Sequence, residues 1–460
     1  MQRDLIVELK QWIISSHRKP LLLRGARQVG KSTAVRMAVK ESGRHLVELN
    51  LEKFLRLDPI FATFDLNKII PAIEAEARTR IDTESSVLFL DEIQATPQAI
   101  AALRYFHEEC PKLPVVAAGS LLEFVLGEKP ISMPVGRISY YHVGPISFDE
   151  FLVAKGEIFF REKISKFSLG DDWPVSIHEH GIRLVREFMM VGGMPAALDK
   201  YLAQPASTRD WINELQSIID TYKDDFAKYT RRDTLLPVLQ QIYDFAPRYL
   251  GKNLILKEVA PDVRHEYVRS AIALLEKSRV LLLSKQNDGV GVPLIAGDKE
   301  KAPKIFWVDV GLANRMLNLD PTWMAMNLDM IHAGQVAEQF VAQHLQWWSG
   351  PGQSPGLHYW ARGGKTTNAE VDFLVQLGTK IIPLEVKSGV AGSLRSLHQF
   401  LSKGDVPFGV RLDMDLPRFH AIDHDVRVEK DKHQRLKSTL ISLPLYMIGE
   451  LRRLLDSQLY

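Results

Sequence analysis

The stretch LLLRGARQVGKSTAV, from Leu21 to Val35, decides how the first part of this chain folds. Its leucines predict a short buried strand, and Gly25 to Ser32 fit the pattern G-x-x-x-x-G-K-[ST] at every fixed position. The residues after Ser32 predict a helix. Glycines let successive backbone N–H groups turn inward, and the N-terminus of that helix adds positive dipole. The sequence therefore predicts a loop that binds phosphate groups.

Two side chains of this loop have separate roles in the prediction. Lys31 would reach the β- and γ-phosphates of ATP, and the hydroxyl of Ser32 would ligate Mg²⁺. The residues expected to contact the nucleotide are Gly25, Ala26, Arg27, Gln28, Val29, Gly30, Lys31, Ser32 and Thr33.

A second predicted strand, Val87 to Leu90 in SSVLFLDEIQ, ends in Asp91 and Glu92. Two adjacent carboxylates at the end of an apolar strand are costly unless they face a cleft or an ion. Asp91 suits a water-mediated contact with Mg²⁺, and Glu92 suits polarisation of the attacking water. Both residues are expected beside the phosphate loop.

These motifs, with the segments AAGSLL, GRISYYHVGPISFDEF and VGGMPAAL, resemble an AAA+ ATPase. More narrowly, the chain resembles a bacterial and archaeal family that joins an AAA+ module to a C-terminal domain of unassigned function. The resemblance implies that Ser120 is a sensor of the γ-phosphate. It also implies that Arg137 is an arginine finger that reaches ATP on the neighbouring subunit of a homo-oligomer, a hexameric ring. A surface ion pair is the alternative for Arg137.

The segment VGGMP lies in a predicted helical region and matches a lid motif, which places Pro195 near the nucleotide. The lid arginine that is usual in AAA+ proteins is not evident. Residues 146–233 as a whole are predicted to form this helical lid and a connector.

A winged helix is predicted after the connector. It would comprise a helix around Leu256–Val259, a second helix with Val268 on its apolar face, and a hairpin at Asn287-Asp288-Gly289. The second helix enters the major groove in DNA-binding relatives of this fold. Its basic residues are Arg264, His265 and Arg269. The alternative is a winged helix that only joins domains.

A second catalytic pattern lies near the end of the chain. Glu338 is on a predicted helix, Asp372 on the strand AEVDFLV, and Glu385 and Lys387 on a strand that pairs with it through a turn at Leu377-Gly378. Carboxylate oxygens suit Mg²⁺ or Mn²⁺, so Glu338, Asp372 and Glu385 are candidate metal ligands, and Lys387 can orient a water.

This arrangement resembles the PD-(D/E)XK nuclease superfamily, with all four positions filled. No proline precedes Asp372, which departs from a loose feature of that superfamily. The alternative is a degenerate nuclease fold that is kept for binding or assembly.

Composition restricts the remaining possibilities. The 460 residues are too many for one core, and the net charge of +2 demands no polyanionic partner for the whole chain. Cys110 is the only cysteine, which excludes a disulfide framework and fits a reducing compartment. No apolar run is long enough to cross a bilayer, so we expect a cytoplasmic protein with no membrane partner.

The predicted fold class is α/β. It comprises a P-loop AAA+ core (1–145), a helical lid and connector (146–233), a winged-helix domain (234–300) and a restriction-endonuclease-like α/β domain (301–460). The predicted function is an ATP-hydrolysing motor or remodeller that acts on DNA, with a metal-dependent nuclease domain. The alternatives are a defence-type nuclease switch gated by ATP, and a protein-assembly ATPase with an inert nuclease-like fold.

Overall fold

The chain divides into two units, and the first contains the glycine-rich loop. Unit 1 comprises residues 1–146 with the short segments 277–280 and 349–354, and unit 2 comprises the rest. The computed structural model describes residues 1–119, 136–205, 207–229, 235–319, 333–354, 356–362, 369–389, 393–403, 406–429 and 432–459.

Unit 1 is built on five parallel strands in the order β2-β3-β4-β1-β5. The strands are β1 (Leu21–Arg24), β2 (His45–Asn50), β3 (Ser86–Asp91), β4 (Val115–Gly119) and β5 (Ser139–His142). The helices are α1 (Asp4–Ile14), α2 (Lys31–Ser42), α3 (Asp58–Phe61), α4 (Leu66–Ala77) and α5 (Pro97–Glu109). Strands β1 and β3 lie where the sequence predicts them.

The parallel sheet explains why the apolar runs are continuous rather than alternating. All six residues of β3 are buried, as expected for a strand whose two faces are both covered. Parallel strands end at the same edge of the sheet. Gly25 after β1, Asp91 at the end of β3 and Gly119 at the end of β4 therefore come to one edge.

Unit 2 contains two more sheets. One has the order β7-β6-β8-β9, and the other has the order β10-β11-β12-β14-β13. Their strands are β6 (Leu281–Asn287), β7 (Lys304–Trp307), β8 (Leu357–Arg362), β9 (Ala369–Val371), β10 (Phe373–Leu377), β11 (Lys380–Val386), β12 (Phe408–Asp413), β13 (Arg418–Glu429) and β14 (Lys432–Pro444).

The helices of unit 2 begin with the region that the sequence predicts to be helical. They are α6 (Phe148–Lys155), α7 (Ile158–Lys166), α8 (Val175–Val191), α9 (Pro195–Ala203), α10 (Thr208–Tyr229), α11 (Leu235–Phe245), α12 (Leu256–Val259), α13 (His265–Lys277), α14 (Val310–Met316), α15 (Ala333–Leu345), α16 (Arg395–Leu401) and α17 (Leu451–Asp456).

Three local predictions are wrong. The hairpin at Asn287-Asp288-Gly289 is absent, because β6 pairs with the distant β7 and residues 288–303 form the connection. The segment AEVDFLV is two strands, β9 and β10, with Asp372 at the bend between them. The segment VGGMP breaks the helical region, because α8 ends at Val191 and α9 begins at Pro195.

The long hairpin of β13 and β14 is a feature that the sequence did not predict. The sheet β7-β6-β8-β9 also joins strands from both sides of residue 300, where the predicted winged helix ends. A search of the described ranges finds no helix with the length and apolar character needed to span a bilayer.

Candidate functional site

The glycine-rich loop adopts backbone conformations that its glycines permit. Gly30, the residue before α2, has φ 88°, and Gln28 has φ 63°. A Cβ on Gly25 would lie 2.1 Å from the carbonyl oxygen of Val143, so only glycine fits there. The loop is thus packed closely against the segment that follows β5. Among the other loop residues, Ala26 and Val29 are buried, Arg27 is half-buried, and Thr33 is exposed on α2.

Lys31 is buried and folds back on its own loop. Its Nζ donates to the carbonyl oxygens of Gly25, at 3.0 Å, and Ala26, at 2.8 Å. Burial lowers the pKa of Lys31 to about 8, although the charges of Glu92 and Asp91 oppose that shift. The ammonium therefore lies within the loop, where phosphate groups would bind.

Ser32 and Asp91 are already in contact. The Ser32 hydroxyl donates to Oδ2 of Asp91 at 2.8 Å, and burial raises the pKa of Asp91. A hydroxyl and a carboxylate oxygen are hard ligands of the kind Mg²⁺ uses beside nucleotide phosphates. These two residues therefore suit a magnesium ion chemically, and their role as its ligands stays a prediction.

Glu92 lies directly after β3 in a left-handed backbone conformation, with φ 52°. Its carboxylate accepts a hydrogen bond from the side-chain amide of Gln94, a residue that the sequence analysis did not single out. Its backbone N–H donates to Oδ1 of Asp91 at 3.1 Å. Gln94 thus holds the carboxylate that is predicted to polarise water.

For three other residues that are predicted to act on the nucleotide, the structure gives less direct information. Arg137 is about half exposed and forms an ion pair with Glu108 at 2.9 Å. Ser120 lies outside the described residues, immediately after β4. Pro195 is the first residue of α9 in unit 2. The nucleotide roles of all three stay predictions.

The predicted C-terminal site forms a cluster of charged side chains around a lysine. Lys304, on β7, is almost fully buried, and its Nζ lies 2.5 Å from Glu370, 3.8 Å from Asp372 and 3.9 Å from Glu338. Burial disfavours its charge, but these carboxylates more than offset that and raise the pKa of Lys304. Lys304 and Glu370 are absent from the predicted site.

Helix α15 is positioned by a buried glutamine side chain. Gln339 exchanges hydrogen bonds with the backbone N–H and carbonyl of Trp307 on β7, at 2.7 and 2.8 Å. This pairing brings Glu338 beside Lys304. Oε2 of Glu338 is buried, and a Cβ on Gly251 would lie 2.5 Å from it. Burial and the charge of Asp372 raise the pKa of Glu338 well above its ordinary value.

Asp372, Glu385 and Lys387 meet at the start of the predicted hairpin. Oδ2 of Asp372 accepts from the backbone N–H of Val386 at 2.8 Å, and Lys387 Nζ lies 2.6 Å from Oε1 of Glu385. Glu385 is 5% exposed, and its Oε2 is buried without a hydrogen-bond partner. Burial raises the pKa of Glu385.

The metal-binding role of this cluster stays a prediction. Within the described ranges, no three His, Cys, Asp or Glu side chains converge closely enough to hold an ion. The ammonium groups of Lys304 and Lys387 neutralise part of the negative charge instead. The sequence signal that could have indicated this arrangement is Lys304 itself, a lysine at the start of the apolar run KIFW.

The predicted DNA-contact residues are on the surface of unit 2. Arg264, His265 and Arg269 are exposed at the N-terminal end of α13, whereas Val268 and Leu275 are buried on its other face. The apolar periodicity of this helix is therefore as predicted.

Comparisons with known proteins agree with the geometry of unit 1. The model of an AAA domain family (AAA_14) matches residues 17–152. Two domains of unknown function, DUF8612 and DUF4143, match residues 182–322 and 333–427. No curated protein matches the chain.

Solved structures with some similarity include the Walker-type ATPase PABY2304 of Pyrococcus abyssi, at 15% identity and a TM-score of 0.42, over 69% of this chain and 95% of that one. The RuvB Holliday junction branch migration motor of Thermotoga maritima is 14% identical, with a TM-score of 0.28, over 61% and 89%. The ORC2 protein of Aeropyrum pernix is 13% identical, with a TM-score of 0.30, over 70% and 92%.

The glycine loop, the buried Lys31, the Ser32–Asp91 pair and Glu92 lie together at one edge of a parallel sheet, within residues that an AAA family model matches. The first unit is therefore an AAA-type P-loop ATPase domain, and the protein is an ATPase.

Proposed function

We propose that this ATPase uses hydrolysis to move along or remodel DNA. The observation that supports a DNA substrate is the exposed basic end of α13, with Arg264, His265 and Arg269. Its buried apolar face fixes the helix to unit 2, so the basic side chains face outward. Arginines on an exposed helix can contact DNA phosphates, which supply most of the non-specific affinity of DNA-binding proteins.

The chemistry follows from the side chains of unit 1. Mg²⁺, held by Ser32 and through water by Asp91, would neutralise charge on the β- and γ-phosphates. Lys31 leaves the loop carbonyls and pairs with the phosphates. Glu92 accepts a proton from the attacking water and orients it, once Gln94 releases the carboxylate.

Binding to duplex DNA tests the basic surface. The double variant Arg264→Ala and Arg269→Ala should bind more weakly, and the slope of log affinity against log salt should shrink by about one for each lost phosphate contact. Arg209→Ala is a matched control, because Arg209 is another exposed arginine in the first turn of a helix of unit 2. An unchanged affinity and slope in the double variant would show that α13 does not contact DNA.

We also propose that the protein works as a homo-oligomer, a hexameric ring in which Arg137 reaches the ATP of a neighbouring subunit. Its present partner, Glu108, is a surface residue, and such an exposed ion pair costs little to break. An arginine supplied in trans is worth about a thousandfold or more in rate.

Subunit mixing tests the role of Arg137. Arg137→Ala protein and Lys31→Ala protein should each be inactive, and a mixture that exchanges subunits should regain activity at interfaces with one intact site and one intact finger. Mixtures that stay inactive although subunits exchange would contradict action in trans. Arg104→Ala is the control, because Arg104 also pairs with Glu108.

A metal-dependent nuclease in unit 2 is the second candidate function. It is favoured by the grouping of the predicted residues, since Glu338, Asp372 and Glu385 lie in one cluster. In that cluster, Oε2 of Glu385 is buried without a hydrogen-bond partner. The test is cleavage of linear, nicked and branched DNA with Mg²⁺ or Mn²⁺, by wild type and by Asp372→Asn. Cleavage by wild type that Asp372→Asn loses would support the nuclease. No cleavage and no metal binding by calorimetry would exclude it.

A further inference from the structure

A buried arginine from the start of the chain contacts the back of the phosphate loop. Arg3 precedes α1 and is 9% exposed. Its Nη1 donates to the carbonyl oxygen of Val29 at 2.7 Å, and its Nη2 donates to the carbonyl oxygens of Gly144 at 2.9 Å and Pro145 at 3.1 Å. One guanidinium therefore joins the phosphate loop to the segment that follows β5.

The contact with Val29 follows from how a phosphate loop works. A peptide group whose N–H points inward to the anion points its carbonyl outward into the protein. Val29 is fully buried, and a buried carbonyl without a hydrogen-bond partner destabilises the fold. Arg3 satisfies this carbonyl, and in doing so it fixes the peptide plane that presents the N–H of Gly30.

The other end of the loop is held by the same segment. Gly25 packs against the backbone of Val143, and the N–H of Val143 donates to the carbonyl oxygen of Arg24 at 2.7 Å. Residues 143–145 thus contact the start of the loop directly and its end through Arg3. The loop is held at both ends by one stretch of backbone.

We propose that Arg3 is a positioning residue for ATP binding, which keeps the N–H groups at the end of the phosphate loop aimed at the nucleotide. Arginine suits this role because its planar, forked guanidinium can serve three acceptors at once, whereas lysine presents a single ammonium. The role requires ATPase activity and is independent of any action on DNA.

Loss of Arg3 should affect nucleotide binding more than chemistry. The hydrogen bonds of Arg3 described above go to backbone carbonyls, and Lys31, Ser32, Asp91 and Glu92 all remain in Arg3→Met. Because small misplacements of binding groups are costly, we expect the KM for ATP and the Kd for ADP to rise about tenfold to a hundredfold. The kcat at saturating ATP should fall by less than about threefold, since the interactions made in the transition state remain.

The experiment compares Arg3→Met, Arg3→Lys and wild type by ATPase kinetics, by affinity for a fluorescent ADP, and by melting temperature. Arg56→Met is the matched control, because Arg56 is an exposed arginine of unit 1 that pairs with Glu76. Arg3→Lys keeps the buried charge and should show an intermediate KM. A further variant, Arg3→Ala, leaves room for a free guanidinium ion. Guanidinium at millimolar concentration should lower the KM of Arg3→Ala for ATP towards the wild-type value and leave the KM of wild type unchanged.

Two results would overturn this role. One is an unchanged KM and ADP affinity in a folded Arg3→Met protein. The other is a lower melting temperature with an unchanged KM, which would make Arg3 a purely structural residue. If Arg3→Met does not fold, Arg3→Lys decides in the same way: a raised KM supports the proposal and a wild-type KM contradicts it.

Discussion

In the mechanism that we propose, four side chains at one edge of the first sheet divide the work of ATP hydrolysis. Lys31 supplies charge, Ser32 and Asp91 form a hydroxyl–carboxylate pair, and Glu92 supplies a base. Their motifs made them predictable, because Lys31 and Ser32 close a glycine-rich loop that follows the apolar β1, and Asp91 and Glu92 come at the end of the apolar β3. Gln94 was not predictable in the same way, since an uncharged amide near a strand end is common.

Substitutions at Lys31 and Glu92 should separate nucleotide binding from turnover. Lys31→Ala removes the charge that meets the phosphates, so both nucleotide affinity and hydrolysis should be lost. Glu92→Gln keeps the shape of the side chain and removes only the base, so binding should persist while the rate falls by about a hundredfold or more. Measured ATP hydrolysis and ADP affinity distinguish these results, and near wild-type hydrolysis in either variant would contradict the assigned roles.

Nucleotide affinity should depend on pH through Lys31. Its pKa in the nucleotide-free protein is lowered to about 8, so the ammonium is charged below that pH and is progressively neutralised above it. Phosphate binding needs the charged form. The Kd for ATP should therefore be flat up to about pH 7.5 and rise towards tenfold per pH unit above pH 8.

Calorimetry measures this dependence directly, because binding above pH 8 should take up a proton from the buffer. Lys31→Arg provides the control, since arginine stays charged and should give no proton uptake in this range. A wild-type Kd that is flat from pH 7 to pH 9.5 would contradict a lowered pKa of Lys31.

At the scale of elements, the charged cluster of unit 2 brings together side chains from β7, β9 and α15, although β7 and β9 are not neighbours in their sheet. The sequence predicted that Glu338, Asp372, Glu385 and Lys387 would meet, because the β10–β11 hairpin and the helix were both visible. It could not predict Lys304, which is on β7. This strand lies beside β6, which in turn lies beside β8, and that order is defined only in the folded chain.

Lys304→Met should destabilise unit 2 strongly at neutral pH. The substitution keeps the apolar stem but leaves the carboxylates of Glu338, Glu370 and Asp372 without their buried cation, a loss worth about 3–5 kcal/mol. The deficit should shrink as pH falls, because protonation relieves the unpaired carboxylates in the folded state.

Urea denaturation at pH 7.5 and pH 5.5 measures this effect. Lys285→Met is the matched control, since Lys285 lies on the neighbouring β6, is mostly exposed, and should change the free energy of unfolding by about 0.5 kcal/mol or less. Equal stability of Lys304→Met and Lys285→Met would show that the cluster does not need its lysine.

A buried aspartate links the VGGMP segment to helix α14. Asp309 caps α14, and its carboxylate accepts from the backbone N–H groups of Gly193 at 2.6 Å and Leu312 at 3.0 Å. A Cβ on Gly192 would lie 2.2 Å from Oδ1 of Asp309, which explains that glycine. The segment was predicted as a nucleotide lid, and within unit 2 it has this structural role.

Asp309→Ala should lower the free energy of unfolding by about 3 kcal/mol, because it leaves buried N–H groups unpaired. Burial raises the pKa of Asp309 to about 6, above the value of about 4 in an unfolded chain. The folded state therefore holds the extra proton, and stability from this residue falls as pH rises from about 4 to about 6, then stays level.

Asp309→Asn keeps one acceptor and cannot titrate. Its stability relative to wild type should therefore change between pH 4 and pH 6, as measured by urea denaturation. A constant difference across that range, or a neutral effect of Asp309→Ala, would contradict the assigned cap.

Some elements were beyond prediction for physical reasons. Strand β13 has charged and histidine residues along most of its length, and its buried Ile422 and Val426 are four residues apart, so the strand alternation is weak. Strand preference depends mainly on neighbours in the sheet, and β13 gains those only by pairing with β14. The Asn-Asp-Gly signal did not produce a tight hairpin, because the antiparallel partner of β6 is β7, which begins only at Lys304.

At the scale of the whole molecule, the sequence predicts an ATPase core over residues 1–145, and this boundary stays a prediction; the first unit comprises residues 1–146 with the segments 277–280 and 349–354. The P-loop pattern is local, so it could be identified without the fold. The division of unit 2 into a winged helix and a nuclease-like domain rests on pairings between distant strands, and it stays a prediction.

The rate of ATP hydrolysis with and without DNA tests the central claim most directly. Wild type should be compared on single-stranded, duplex and branched DNA, with Glu92→Gln as the inactive control and the α13 double variant as the binding control. We predict that at least one DNA form raises the rate of wild type, and that the α13 double variant loses this stimulation while keeping its basal rate. An ATPase that turns over at the same rate with every DNA form and without DNA would contradict a role on DNA.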